Sequence, residues 1–143
     1  MKEFSYFLVK NEVKKQSPDL NQAKATAKDG LDRLEMAKAI LASQKPKYVL
    51  ENAYEAIREV IDAVLFLEGY KSYSHEASVA YLLLLGFSIS EAEKVDWLRR
   101  IRNGTKYYGK DAEKEEALEA IKVAESIFPK ILDQKPNLKK EIK

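Results

Sequence analysis

The feature that most limits the fold of this chain is the spacing of apolar residues between positions 47 and 68. They recur every three or four residues, which is the period of an α-helix. Val60, Leu65 and Phe66 add apolar surface beyond a single stripe. A helix this apolar lies at the centre of a bundle or contributes to a subunit interface. The stripe itself consists of Leu50, Ala53, Tyr54, Ile57, Ile61, Val64 and Leu67.

The same helix also carries charged residues that lie outside the stripe. On an amphipathic helix, the positions opposite the apolar stripe face water. We therefore predict a solvent-exposed charged face, which consists of Glu51, Glu55, Arg58, Glu59 and Asp62.

Another long helix is predicted before this one, from boundary signals at both of its ends. Ser17 is suited to its N-cap and Pro18 to its first helical position, where the missing N–H costs no hydrogen bond. Residues 43–46, Ser-Gln-Lys-Pro, end it. Its many inward-facing alanines indicate a close approach to another helix. The apolar positions with helical spacing are Leu20, Ala23, Ala27, Leu31, Leu34, Ala37 and Leu41.

Three further helices are predicted after residue 69. The first of them stops at Gly86, and the next begins with Ser88 and Glu91, a Ser followed three residues later by Glu that forms a capping box. The last is capped by Asp111, and Pro129 kinks or ends it. The inward stripe of this last helix consists of Leu118, Ile121, Ala124, Phe128 and Ile131.

Together these segments predict an all-α fold, an antiparallel up-and-down bundle of about five helices with short connections. The bundle occupies residues 17–133. Residues 1–16 form an N-terminal arm or a short helix, of which we favour the helix, and residues 134–143 form a frayed, Lys-rich tail.

Charge and residue usage exclude several classes of function. The chain has 25 Lys and Arg against 23 Asp and Glu, a net charge of +2, so any anion site must be a local patch. Cysteine is absent and His75 is the only histidine, which leaves no thiolate or multi-histidine metal site. We expect no cofactor or metal. The sequence shows neither a membrane-spanning apolar run nor a signal peptide, so we expect a cytoplasmic protein that does not bind membranes.

The segment Trp97–Gly109 departs from the composition of the rest of the chain, and such departures are typical of functional sites. It holds three arginines, one lysine and three large aromatic residues. On a helical wheel Arg102 lies at the edge of the apolar arc, where a partly desolvated guanidinium needs an anion or a set of acceptors. The predicted ligand-binding residues are Arg99, Arg102, Asn103, Lys106, Tyr107 and Tyr108.

A purely structural interpretation of the same segment stays open. Basic residues in the last turns of a helix complement its dipole without any ligand. Asn103 and Gly104 are a common way to end a helix, and Trp97 and Tyr108 would then belong to the core. His75, a lone histidine without a triad partner, is interpreted as structural.

Three stretches of the chain together resemble the HEPN domain (higher eukaryotes and prokaryotes nucleotide-binding). The resemblance covers roughly residues 17 to 132. The stretches are the Ala-rich first long helix, residues 54–70 running into Tyr-Ser-His-Glu-Ala at 73–77, and Arg102-Asn103 before Tyr107-Tyr108.

This resemblance implies a helical bundle that forms homodimers. In nuclease members an Arg, often followed by Asn or Asp, precedes a His by four to six residues, and two copies of this motif cut RNA in a dimer cleft without metal. Other members act with a small nucleotidyltransferase as toxin–antitoxin pairs, or bind nucleotides without cutting. Arg102 and Asn103 match the motif, but Tyr107 and Tyr108 stand where the His is expected. By this resemblance Arg102 and Tyr107 are the candidate catalytic residues, and the missing His favours binding over catalysis.

The sequence therefore favours a homodimeric module that binds RNA or a nucleotide phosphate in a cleft near Arg102. A divergent metal-independent RNase and a non-catalytic interaction subunit, for instance of a nucleotidyltransferase, are the alternatives. A nucleic-acid-binding module needs Arg99, Arg102 and Lys106 to be exposed together, whereas an interaction subunit tolerates their loss. We also expect Arg102→Ala to leave the fold nearly intact.

Overall fold

The computed structural model describes residues 1–140 and shows the helical bundle that the apolar periodicity predicted. All five predicted helices of the bundle are present, and a short helix lies at either end of the chain. The helices are α1 (Phe4–Val9), α2 (Leu20–Ala39), α3 (Pro46–Glu68), α4 (His75–Leu84), α5 (Ile89–Tyr107), α6 (Lys114–Gln134) and α7 (Pro136–Lys139). A single 3₁₀ turn, Leu41–Ser43, leads from α2 towards α3.

Helix α3 is the centre of the bundle, as its apolar width suggested. It packs most extensively against α2 and α6 and also contacts α4 and α5. Val60 and Leu65, which widened the predicted stripe, are buried, and Phe66 packs against the core. The chain itself therefore covers the apolar surface of α3, and this surface no longer indicates a subunit interface.

The N-terminal arm combines a helix with a strand that the sequence did not predict. Strand β1 (Val13–Lys15) pairs antiparallel with β2 (Tyr70–Ser72), which follows α3 directly. The helix α1 buries Phe4 and Phe7. The ring of Phe4 contacts the rings of Tyr70 and Tyr81 edge-on, at centroid distances of 5.5 and 4.8 Å. The arm is thus fixed to the bundle by aromatic packing at one end and by strand pairing at the other.

Some predicted helix boundaries are confirmed and others are wrong. The capping box of Ser88 and Glu91 starts α5, and Gly86 adopts a left-handed φ of 86° just before it. Ser17 does not cap α2. The cap is Asp19, whose side chain accepts a hydrogen bond from the Gln22 N–H at 3.0 Å. The Asp19 N–H donates to the Phe66 carbonyl near the end of α3, which holds the preceding residues against α3. Helix α2 therefore begins at Leu20, after the predicted start.

The last long helix also differs from its prediction at both ends. Asp111 does not cap it: α6 begins after Glu113, whose backbone N–H donates to the Glu116 carboxylate at 2.8 Å. Pro129 does not end it either, and α6 continues to Gln134. Phe128 and Ile131 on either side of the proline are buried, and this packing offsets the lost backbone hydrogen bond.

Three side-chain predictions near this end of the chain need correction. Leu118, assigned to the inner stripe of α6, is 44% exposed, because Ala117 and Ala120 face the core instead. Tyr108, which the purely structural interpretation assigned to the core, is 76% exposed. Leu138 in the predicted frayed tail is fully buried, since α7 packs against α6 and α2, whereas residues 141–143 lie outside the described part.

None of the helices in residues 1–140 combines the length and the apolar character that crossing a membrane requires.

Candidate functional site

Arg102, the centre of the predicted site, lies inside the protein and faces α3. The residue is only 4% exposed, and its Nη2 atom lies 2.9 Å from Glu55 Oε1. The two atoms are at ion-pair distance, although their angles do not meet those of a hydrogen bond. The Nε atom of Arg102 is buried without a hydrogen-bond partner among residues 1–140. The acceptor set that its position demanded is therefore supplied in part by the protein's own carboxylate.

Glu55 is shared between two guanidinium groups. Its Oε2 atom accepts from Arg58 Nη2 at 2.7 Å and from Arg58 Nε at 3.1 Å. Arg58 Nη1 in turn donates to Asp62 Oδ2 at 2.6 Å. Residues three and four apart lie on one side of a helix, so α3 itself builds this chain of charges.

Helix α4 contributes a hydroxyl group that hydrogen-bonds to the last carboxylate of this series. Ser78 is buried, and its Oγ atom lies 2.7 Å from Asp62 Oδ1, to which it donates. The same Oγ lies 3.0 Å from the Ser72 Oγ of β2. We call Glu55, Arg58, Asp62, Ser78 and Arg102 the buried charge cluster. It joins α3, α4 and α5 through groups that would each be costly to leave unpaired.

The pKa values of the two carboxyl groups in the cluster are shifted in opposite directions. Burial alone would raise the pKa of Glu55, but the charge and hydrogen bonds of Arg58 and the charge of Arg102 outweigh it, so the pKa lies below its usual value. For Asp62, burial outweighs Arg58 and Ser78, so the pKa is raised. Glu55 is therefore the firmly ionised partner of Arg102.

The structure brings His75 to the edge of this cluster through Tyr54. The Tyr54 hydroxyl lies 3.2 Å from His75 Nδ1, and the Tyr54 ring centroid lies 5.9 Å from Arg102 Cζ. Burial, followed by the charges of Arg58, Arg102 and Arg99, lowers the pKa of His75 to about 4. The imidazole is thus neutral at pH 7, and it can accept or donate a hydrogen bond without carrying charge.

The remaining predicted residues surround Arg102 on the surface side. Tyr107 is 63% exposed, and its ring centroid lies 5.7 Å from Arg102 Cζ and 5.9 Å from Lys106 Nζ. The Asn103 Oδ1 atom accepts a long hydrogen bond of 3.4 Å from Arg102 Nη1. Tyr107 therefore forms an outer aromatic wall over a buried guanidinium.

Arg99 does not join Arg102 in an exposed patch. Its side chain is mostly buried, and its Nε donates to Asp96 Oδ1 at 2.8 Å. Its Nη1 lies 3.7 Å from Glu76 Oε1 of α4. Of the predicted basic residues, only Lys106 is exposed, so Arg99, Arg102 and Lys106 do not form a common surface. The helix also runs through Asn103 and Gly104, so the interpretation of this pair as a helix end is wrong.

Sequence reasoning missed the residues of α3 that hold Arg102. Glu55, Arg58 and Asp62 were assigned to a solvent-exposed face, but they are buried or half-buried against α4 and α5. A signal for this was present in the sequence. The three residues follow the spacing i, i+3, i+7 on a helix that is apolar on its other sides, and such a stripe on a central helix must pair internally.

Comparison with known proteins then decides the family. A model of the HEPN domain family matches residues 23–134, which is most of the chain. The chain belongs to the HEPN domain family. At the level of the family, this HEPN chain is a nucleotide- or RNA-related module. No curated protein matches it.

The HEPN chain offers two kinds of ligand-facing chemistry at this end of α5. One is the Arg102 guanidinium beneath Tyr107, which suits a phosphate or another anion. The other is a cavity of about 430 Å³ that Arg102 does not line, with Trp97, Ile101 and Lys110 among its walls. Within the described residues, no three His, Asp or Glu side chains come together as metal ligands.

Proposed function

We propose that this HEPN chain binds RNA or a nucleotide through a phosphate group at the C-terminal end of α5, beside Arg102. The observation that carries the proposal is the position of the Arg102 guanidinium directly beneath the exposed ring of Tyr107. Its buried Nε–H group donates to no acceptor among the described residues. A buried donor without an acceptor is costly, and a phosphate oxygen that reached it as the exposed Tyr107 ring moved aside would satisfy it.

The surface residues of the site complement this guanidinium. Lys106 supplies a mobile charge for a neighbouring phosphate, and Tyr107 presents a face on which a base can stack. Arg102 is already paired with Glu55, so it acts as an oriented donor and contributes little net positive charge. This arrangement supports recognition of a phosphate through geometry more than through bulk attraction.

In the proposed module two copies of the chain associate, which places two α5 ends beside a shared cleft. The exposed ring of Tyr108 supplies apolar surface for such an association, because aromatic residues such as Tyr are enriched at interfaces, and Tyr107 keeps its face for the base. A nucleotidyltransferase partner, within a toxin–antitoxin pair, is the alternative occupant of the same surface.

One observation favours a second function, that of a non-catalytic interaction subunit. Arg58, Arg99 and Arg102 are all paired with carboxylates of their own chain. Two of these arginines also contact carboxylates on a neighbouring helix, Arg102 with Glu55 and Arg99 with Glu76, and such pairs hold the geometry of a bundle without any ligand. Under this function the exposed helix faces bind a protein, and the charge cluster is scaffold.

The experiment that separates the two functions measures anisotropy of labelled oligoribonucleotides and of labelled ATP at low salt. We expect binding that weakens as salt increases, because phosphate contacts release counterions. Lys106→Ala and Tyr107→Ala should each weaken it, whereas Lys122→Ala, an exposed lysine of α6, should not. Undetectable binding by the wild type would leave the interaction subunit as the function.

A further inference from the structure

The excess positive charge of the chain lies in the N-terminal arm and the strand that pairs with it. Residues 1–16 together with Lys71 hold five lysines against Glu3 and Glu12. Since the whole chain has 25 basic and 23 acidic residues, the remainder has 20 and 21. The whole arm lies before residue 23, where the family match begins. The bundle is therefore close to neutral, and the arm is a local basic patch.

The pairing of the two strands places like charges opposite each other. In the register of β1 and β2, Lys14 lies directly across from Lys71, and both side chains are exposed. Like charges in this position destabilise a strand pair. Neither lysine forms an ion pair with any residue in 1–140, so the chain itself does not relieve the repulsion.

Both lysines converge on one exposed aromatic ring. Tyr73 is 63% exposed, and the Nζ atoms of Lys14 and Lys71 lie 5.8 and 5.6 Å from its ring centroid. The backbone N–H of Tyr73 donates to the Glu12 carbonyl at 2.8 Å, which fixes the position of the residue beside the strand pair. An exposed ring between two cations suits a base that stacks while its flanking phosphates contact the lysines.

From this juxtaposition we infer that Lys14, Lys71 and Tyr73 form a second binding surface, which takes the backbone and one base of a single-stranded RNA. Neighbouring phosphates would reduce the repulsion between the two lysines, which gives the surface a physical reason to bind a polyanion. The inference rests on the proposed function, since it extends RNA binding from α5 to the arm.

The structure also connects this surface to the candidate site. Tyr73 precedes His75 by two residues, and His75 contacts Tyr54, whose ring lies beside Arg102. The start of α4 thus connects the two surfaces, and in this inference one strand of RNA contacts both.

The test measures anisotropy of a fluorescein-labelled oligouridine over a range of salt concentrations, with the wild type and a Lys14→Ala/Lys71→Ala variant. We expect weaker binding by the variant, and a salt slope shallower by about 1.4 because two phosphate contacts of a single strand are lost. Tyr73→Leu should weaken binding by about fivefold or more, since it removes base stacking. Lys28→Ala/Lys122→Ala, with two exposed lysines of α2 and α6, is the matched control and should bind as the wild type does.

A measurement of melting temperature separates binding from a structural role. Removal of the opposed lysines should leave the melting temperature unchanged or higher, because it removes a repulsion. A lower melting temperature together with unchanged RNA affinity would overturn the inference. Binding of phosphatidylserine vesicles without any binding of oligouridine would overturn it as well.

The same experiment distinguishes this inference from the proposed function. If the wild type binds oligouridine and the lysine variant binds it equally well, the arm surface is overturned and the α5 site stands. If Lys106→Ala/Tyr107→Ala keeps full affinity while the lysine variant loses it, the α5 site is overturned and the arm surface stands. Failure of the wild type to bind overturns both.

Discussion

Arg102 of α5 and Glu55 of α3 form an ion pair that is almost wholly removed from water, with Nη2 and Oε1 2.9 Å apart. Glu55 holds Arg58 through its other oxygen, so a single carboxylate organises two guanidinium groups. The expectation that Arg102 could be removed with little effect on the fold no longer follows. A buried charge that loses its partner is strongly destabilising.

The first prediction concerns the stability of Arg102→Ala. We expect it to lower the free energy of unfolding by roughly 3 kcal/mol, because the pairing of a buried carboxylate is lost and a cavity remains. Urea denaturation followed by circular dichroism measures this. Arg100→Ala is the control: its side chain is 64% exposed and contacts Asp96 only at 3.7 Å, so its effect should stay within about 0.5 kcal/mol.

A double-mutant cycle makes this prediction specific to the pair. Glu55→Gln and Arg102→Met, measured singly and together, should show a coupling free energy of about 1 kcal/mol or more, as expected for residues in direct contact. Additive effects would show that Glu55 and Arg102 act independently and would contradict the assignment.

The sequence predicted those parts of the fold that depend on local chemistry. The bounds of α3 came from a regular apolar period, and the start of α5 came from a capping box that is complete within four residues. The cap of α2 was missed because a tertiary contact between Asp19 and Phe66 selects the starting residue. Pro129 does not end α6, because packing on both sides of it outweighs the local preference.

The candidate site was predicted in part, for the same physical reason. The desolvation of Arg102 followed from its place on the helical wheel, but its partner lies on another helix, 47 positions away in the chain. Glu55 was predicted to be solvent-exposed, because the residue pattern of one helix does not indicate which of its faces a neighbouring helix covers. The approach of His75 to Tyr54 likewise depends on how α4 packs on α3.

The second prediction is that the single histidine titrates near pH 4. Burial and neighbouring arginines lower the pKa of His75 to about 4, whereas the unfolded chain titrates near 6.5. The unfolded state therefore takes up a proton first, so stability falls as the pH decreases from 6.5 to 4 and is constant above 6.5 on this account. An NMR titration of the imidazole protons measures the pKa directly.

The variant His75→Asn isolates this pH dependence from that of the carboxyl groups. It should flatten the change in unfolding free energy between pH 6.5 and 4.5, while the losses at lower pH remain. An imidazole that titrates near 6.5 in the folded protein would contradict the buried contact with Tyr54.

The third prediction concerns Ser78, which donates to the buried Asp62. Ser78→Ala should cost about 1–3 kcal/mol of unfolding free energy, because a buried carboxylate loses a hydrogen bond. Ser126→Ala, which changes an exposed serine of α6, provides the matched control. Equal stability of the two variants at pH 7 would mean that water replaces the Ser78 hydroxyl.

The fourth prediction tests the proposed dimer by light scattering at micromolar concentration. We expect twice the mass of the chain for the wild type and a shift towards monomer for Tyr108→Asp, because a charge at a ring that is 76% exposed would oppose its burial between subunits. Tyr48→Asp, at an exposed tyrosine near the start of α3, should leave the mass unchanged. A monomeric wild type would remove the shared cleft.

The last prediction concerns catalysis. Cleavage of RNA without metal requires a group that transfers protons near neutral pH, and an imidazole with an ordinary pKa suits this role. His75 does not, because its lowered pKa leaves it unprotonated at pH 7 and thus unable to act as a general acid. A phenol is a much poorer proton-transfer group than an imidazole, so Tyr107 does not replace the missing histidine. We expect little or no metal-independent RNase activity in the wild type.

Tyr107→His tests the same argument in the opposite direction. The Tyr107 ring lies 5.7 Å from Arg102 Cζ, so the substitution places an exposed imidazole beside the guanidinium, five residues after it in the chain. Single-turnover cleavage of a labelled RNA with chelator present should then rise above the wild-type level. The control is Tyr108→His, which should show no such rise if Tyr107 alone faces Arg102. If the wild type cleaves RNA robustly and Arg102→Lys reduces this cleavage, the RNase becomes the leading function. Since lysine keeps the charge, the loss would show that the planar guanidinium is required at the reacting phosphate.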